Sequence, residues 1–187
     1  MKFLSFTIIA VVLLFGCVYT PNKNSELIDV GDVLLENVLN SKINLVKKNA
    51  VLNERYNLKD TVMEEEGVEW KAIALKSKSP IDSEFAALLE TNWEDQSVIS
   101  RISILGERIG IKGIHVGDAF EKIKYIIDST NLNGSPDGEL SLTYGKDNRI
   151  HFLLELAESS PLNEGVGSLD GIPGELQIKE IVLLNRK

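Results

Sequence analysis

The chain has 187 residues, with 20 Lys and Arg against 28 Asp and Glu, a formal net charge of −8 at pH 7. So acidic a surface is repelled by phosphate backbones and anionic headgroups, which argues against nucleic-acid binding and electrostatic membrane docking. One cysteine and two histidines supply neither a disulfide nor a Cys/His metal set, so no cofactor and no metal is expected.

The chain opens as a bacterial lipoprotein precursor does. Lys2 supplies a minimal positive region and Phe3 to Phe15 an apolar one. That stretch is too short for a membrane span, which needs about 20 apolar residues, and it suits a signal peptide. The run Leu13-Leu14-Phe15-Gly16-Cys17 ends on the lone cysteine. Cleavage before Cys17 would leave it as a lipidated first residue, with acyl chains enough for stable anchoring. Phe15 stands where lipoprotein signals usually carry a small or hydroxyl residue. Val18 is not the aspartate that retains many enteric lipoproteins in the inner membrane, so the outer membrane, facing the periplasm, is the expected address. Residues 1–16 are thus read as signal and 17–26 as a lipidated tether, polar and broken by Pro21. Residues 27–187 are read as one domain.

Within that domain Ile28-Asp29-Val30-Gly31-Asp32-Val33-Leu34 matches Ile114-His115-Val116-Gly117-Asp118-Ala119-Phe120. Each copy reads as a short strand, a glycine turn and an aspartate that caps a helix. This suggests two related helix-plus-strands halves, 27–97 and 98–187. The first helix is expected from Asp32 to about Asn40, with Leu34, Leu35 and Val38 inward. In the second, Asp118 and Glu121 make a capping box, and Phe120, Ile123 and Ile127 line one face.

Strands are expected at Trp70–Lys76, Phe85–Thr91 and Val98–Leu105. Phe85–Leu89 fits helix equally well. Leu140–Tyr144 alternates, Gly145-Lys146-Asp147-Asn148 is turn chemistry, and Ile150, Phe152, Leu154 and Leu156 share a face, which makes a hairpin. A last strand opens at Leu176 and runs to about Leu184. Two helices and at least six strands without long crossovers define an α+β fold with an antiparallel sheet.

Catalytic residues do not assemble from these parts. Gly165-Val166-Gly167-Ser168 has the wrong glycine spacing for a dinucleotide loop, and Pro173 follows where a helix should. His151 and Glu155 share an outward strand face, which favours a solvated pair over an acid–base pair. Ser159-Ser160-Pro161 has no histidine after it. Glu64-Glu65-Glu66 before Gly67 reads as an exposed turn, and Trp70 as core. Residues 157–175 form a long Gly/Pro-containing connection, usually functional or mobile, so Val166 and Ser168 are candidate partner contacts. Trp93, near a turn, is a third.

The chain resembles the small envelope-stress (RpoE-regulated) bacterial lipoproteins of unknown function. The resemblance lies in Ile99-Ser100-Arg101-Ile102-Ser103-Ile104-Leu105, in Val116-Gly117 with the helix through Phe120, in His151-Phe152, and in Lys179-Glu180-Ile181-Val182-Leu183-Leu184-Asn185-Arg186. It implies a periplasm-facing lipoprotein whose role is unassigned. Members with two further cysteines after the second helix offer no guide to pairing, because this chain has none there. The expected activity is non-enzymatic: a membrane-anchored binding or accessory protein for an envelope protein or polymer. An envelope hydrolase or metal-dependent enzyme, and an inhibitor or immunity lipoprotein, are the alternatives.

Overall fold

The computed structural model describes residues 30–78, 85–135, 139–157, 160, 162 and 167–185. Signal, tether, Cys17 and Val166 lie outside the described residues.

The described chain begins with α1 (Val30–Val33), which continues as a turn of π-helix over Leu34–Val38. Val30, Leu34, Leu35 and Val38 fall on one helical face and are buried. The π geometry is visible where the Leu39 N–H donates to the Leu34 carbonyl at 2.9 Å, five residues back. Asn40 then takes φ 72°, a left-handed conformation that asparagine tolerates, and ends the segment. Two short helices follow, α2 (Ile43–Val46) and α3 (Ala50–Arg55), the latter capped by the Asn49 side chain accepting from Leu52 N–H.

From there the chain is mostly sheet. β1 (Tyr56–Glu65), β2 (Val68–Ser77), β3 (Phe85–Thr91) and β4 (Ile99–Ile104) form a meander. A small hairpin, β5 (Gly110–Ile111) and β6 (Ile114–His115), leads to α4 (Phe120–Ile123) and a 3₁₀ turn at Lys124–Ile126. A second meander follows: β7 (Ile127–Ser135), β8 (Glu139–Tyr144), β9 (Ile150–Glu155) and β10 (Ile178–Leu184). The two meanders join into one eight-stranded antiparallel sheet of order β1-β2-β3-β4-β10-β9-β8-β7. The architecture is therefore α+β, mostly antiparallel sheet with short helices.

The sheet has two unlike faces. Ile73 and Leu75 of β2, Ile102 and Ile104 of β4, Ile181 and Leu183 of β10 and Phe152 of β9 pack in one apolar core with Leu34, Leu35, Val38, Phe120 and Ile123. The alternate residues point the other way. Registration sets Ala74, Leu88, Ser103, Val182, His151 and Thr143 in one row across that second face.

Several expectations are corrected. Val30 and Gly31 are helical, so the first copy of the repeat has no strand–turn–cap at those residues. Asp118 does not cap α4: the N-cap residue is Ala119, without a side-chain bond. The Asp118 carboxylate instead accepts from the His115 N–H at 2.7 Å and from Lys122 at 2.6 Å, closing the turn before the helix. Ile127 begins β7 rather than extending the helix. Strands β1 and β7 were not foreseen, because exposed polar and charged residues interrupt their alternation. The end of the 157–175 connection is pinned, with Phe120 N–H donating to Leu176 O at 2.7 Å and Glu121 N–H to Gly174 O at 3.0 Å. The last strand accordingly starts at Ile178, two residues later than expected.

The β5–β6 hairpin latches α1. Lys112 and Gly113, both at positive φ, make its two-residue turn, and the Lys112 ammonium lies 2.9 Å from the Asp32 carboxylate. A Cβ on Gly31 would sit 2.2 Å from the Gly110 carbonyl oxygen. Gly31→Ala is therefore expected to destabilise by about 2 kcal/mol or more. Gly113→Ala, with open space around it, should cost only the backbone strain of about 1 kcal/mol. Urea denaturation of the two variants checks the difference.

Stability should also fall in acid. Burial works against ionising Asp118, but the Lys122 ammonium and the His115 N–H outweigh it and hold the carboxyl below the usual range. Arg149, 2.7 Å from Asp147, does the same there against a smaller burial effect. Depressed carboxyls contribute stability above their unfolded pKa, about 3.9, and lose it as pH falls through their lower folded values. Denaturation curves should shift to lower urea from about pH 4 downward, and Asp118→Asn should flatten that slope.

Candidate functional site

The β1–β2 turn and the β3–β4 loop lie at the same end of the sheet. Glu66 and Gly67 have φ 51° and 81°, joining β1 to β2 through a two-residue turn with Glu65 opposite Val68. This is the exposed turn expected of the acidic run. Between β3 and β4, the Asn92 side chain accepts from Glu94 N–H at 2.8 Å and Asp95 from Ser97 N–H at 3.0 Å. These side-chain turns shape the loop that carries Trp93, whose surface is 62% exposed.

Together the two loops and the strand ends beneath them bound an open cleft of 570 Å³. Its lining includes Glu65, Glu66, Val68, Trp70, Glu90, Trp93 and Arg101. Both tryptophans of the chain are in it. Trp70 is not the core residue expected. It falls on the second face of the sheet, half-buried, and its indole N–H donates to Glu90 Oε2 at 3.0 Å. Glu90, opposite Arg101 in the β3–β4 register, is only 7% exposed. Arg101 lies 3.5 Å from Glu90 and 3.6 Å from Glu180, so its guanidinium bridges β3, β4 and β10. The cleft floor is thus a tied set of indole, carboxylates and guanidinium, and the rim is an exposed indole beside an acidic turn.

A second cleft of 640 Å³ lies beside α4, lined by Glu121, Lys124, Tyr125, Ser129, Gly167, Ser168, Leu169 and Asp170. Ser168 is exposed in it, Tyr125 is 81% exposed, and Lys124 meets Asp170 at 2.8 Å. Trp93 and Ser168 therefore line separate clefts, and the structure does not bring them together.

His151 is not solvated on an open strand face. It is 7% exposed, its Nδ1 3.4 Å from the Thr143 hydroxyl and its Nε2 3.1 Å from the Asn148 carbonyl. It lines neither cleft. Glu155, expected beside it, meets Lys179 at the outer limit of an ion pair, 4.0 Å. His115 lies 3.8 Å from Asp118 in the turn before α4. Among the described residues, no group of three or more His, Cys, Asp or Glu could hold a metal ion. None of their helices is long and apolar enough to cross a membrane.

Sequence reasoning identified Trp93 but missed its partners. Trp70, Glu90 and Arg101 lie on three strands, and only their registration puts them side by side. The available signal was a single charged residue inside each of two otherwise uncharged strands, Glu90 in β3 and Arg101 in β4.

The fold and cleft define a mixed α+β protein built on one antiparallel sheet, with an aromatic and acidic cleft at one end. No protein-family model matches the chain, and no curated protein matches its sequence. Among solved structures it is similar to the crystal structure of the uncharacterized protein yfeY from Escherichia coli. The identity is 15% and the TM-score 0.49, over 73% of this chain and 86% of that one.

Trp70→Phe would leave buried Glu90 without its indole donor. It should destabilise the protein by about 1–2 kcal/mol, measured by urea denaturation. Trp93→Phe, which no core contact depends on, should leave the midpoint within error.

Proposed function

We propose that this chain is a bacterial envelope lipoprotein, anchored by lipidated Cys17, that acts as a non-enzymatic binding or accessory protein. The signal-like segment at residues 1–16 and the lone cysteine after it support the anchor. The observation that carries the binding role is Trp93, an exposed indole held on a shaped loop over an open cleft. Exposed aromatics of this kind are the residues that anchor partners. The expected address is the outer membrane, facing the periplasm, and the partner an envelope protein or polymer.

The related-halves reading, 27–97 and 98–187, belongs to the same proposal. In its favour, helical segments precede each of the two four-stranded meanders and the strand order is mirrored about the β4/β10 pair, although β4 (Ile99–Ile104) lies beyond the boundary at 97. An inhibitory role remains a variant of this reading, favoured by the acidity of the Trp93 cleft, which suits a basic enzyme.

The test is photo-crosslinking in living cells from positions 93 and 168, with Cys17→Ala alongside and palmitate labelling to follow lipidation. The expected result is label on the native chain alone and one dominant adduct from position 93 that disappears with the anchor. No specific adduct from either position would refute the binding reading, and equal palmitate label in Cys17→Ala would refute the anchor.

A further inference from the structure

We infer that the Trp70–Trp93 cleft receives a basic side chain, a lysine ammonium or arginine guanidinium presented by a partner protein. This rests on the reading of the chain as a binding protein and specifies what it binds. Three carboxylates, Glu65, Glu66 and Glu90, line the cleft against a single guanidinium, Arg101. That guanidinium is engaged from both sides, by Glu90 and Glu180, so among the described residues the carboxylates of the Glu65–Glu66 turn are left for an incoming cation.

The remaining lining suits the rest of such a side chain. Indole is the strongest cation–π acceptor among the side chains, and two indoles bound the cleft, one of them largely exposed. Val68, half-exposed at the rim, offers apolar surface to an alkyl stem, which lysine and arginine bury while keeping the charge polar. An anionic ligand would meet the same three carboxylates unfavourably. The net charge of −8 adds long-range attraction for a basic surface.

The two tryptophans make the cleft its own reporter, since all indole emission of the chain arises there. Full-length protein in detergent would be titrated at low ionic strength with acetylated pentalysine amide. Pentaglutamate and a soluble N-acetylglucosamine oligomer serve as contrasts. The expected result is a saturable change in tryptophan emission with pentalysine alone, weakened several-fold at physiological salt. Glu65→Gln/Glu66→Gln, on an exposed turn, should weaken it several-fold while the thermal midpoint stays put, and Trp93→Ala should weaken it further. No saturable change, or a change that the double glutamine variant leaves intact, would overturn the cationic assignment. Saturation with the glycan oligomer alone would also overturn it and leave the binding role standing. The failure of that role is read separately, as the absence of any adduct from positions 93 and 168.

Discussion

Continuity of the eight-stranded sheet depends on one strand pairing. β4 and β10 meet over four registered positions, from Ile104 opposite Ile181 to Arg101 opposite Leu184. Among the described residues, this seam alone joins the meander β1–β4 to the meander β7–β10 within the sheet. It is strong for a local reason: Ile102, Ile104, Ile181 and Leu183 are fully buried on its core side, and cross-strand apolar pairs are what stabilise an antiparallel ladder. One further backbone bond extends it, the Asn185 N–H donating to Ser100 O at 2.8 Å. The helical segments then cover one sheet instead of two, so the residues around Leu34 and those around Phe120 share one core.

The same seam sets the chemistry of the second face. Arg101 is the β4 residue beside Glu90 on β3 and Glu180 on β10, so the ion pairs under the Trp93 cleft cross from one meander to the other. A buried carboxylate is costly unless it is paired, and Glu90 satisfies that condition through Trp70 and Arg101. Loop and floor are coupled by this arrangement. Thr91 donates to the Lys71 carbonyl just before the chain turns towards Trp93, and Gln96 donates to the Glu69 carbonyl just after. The exposed indole is therefore tied to the same strand that carries Trp70.

Strands with clean alternation or long apolar runs were legible: Phe85–Thr91 matches β3 end for end, and the Leu140–Leu156 hairpin has its turn where the Gly-Lys-Asp-Asn run put it. β1 was not legible, because its Lys, Asp and Glu residues lie on an edge that only β2 covers, and an edge strand needs no continuous apolar face. Asp118 misled for an instructive reason. An aspartate before a helical stretch can bond either to the helix or back into the preceding turn, and spacing does not choose between them. Here the His115 N–H and the Lys122 ammonium win it for the turn. His151 was placed on the correct face by its period-2 spacing. Its burial came from the neighbouring strands, which no local pattern encodes. Of the cleft, Trp93 and the exposed acidic turn were legible and the floor was not, since Trp70, Glu90 and Arg101 come from three different strands.

The outer margin of β1 is ten residues long and, among the described residues, pairs on one side only. An unpaired margin of that length offers backbone groups to any passing strand, including the same margin of another copy. Lys59, Asp60, Glu64 and Glu65 stand exposed along it, and Asp60 is held out by Lys47 at 2.7 Å. Two such margins brought together antiparallel would have to bury these charges or set carboxylates close to one another, and either outcome is unfavourable. The residues that hid β1 from a sequence reading are thus the ones that keep neighbouring copies from zipping into a continuous sheet.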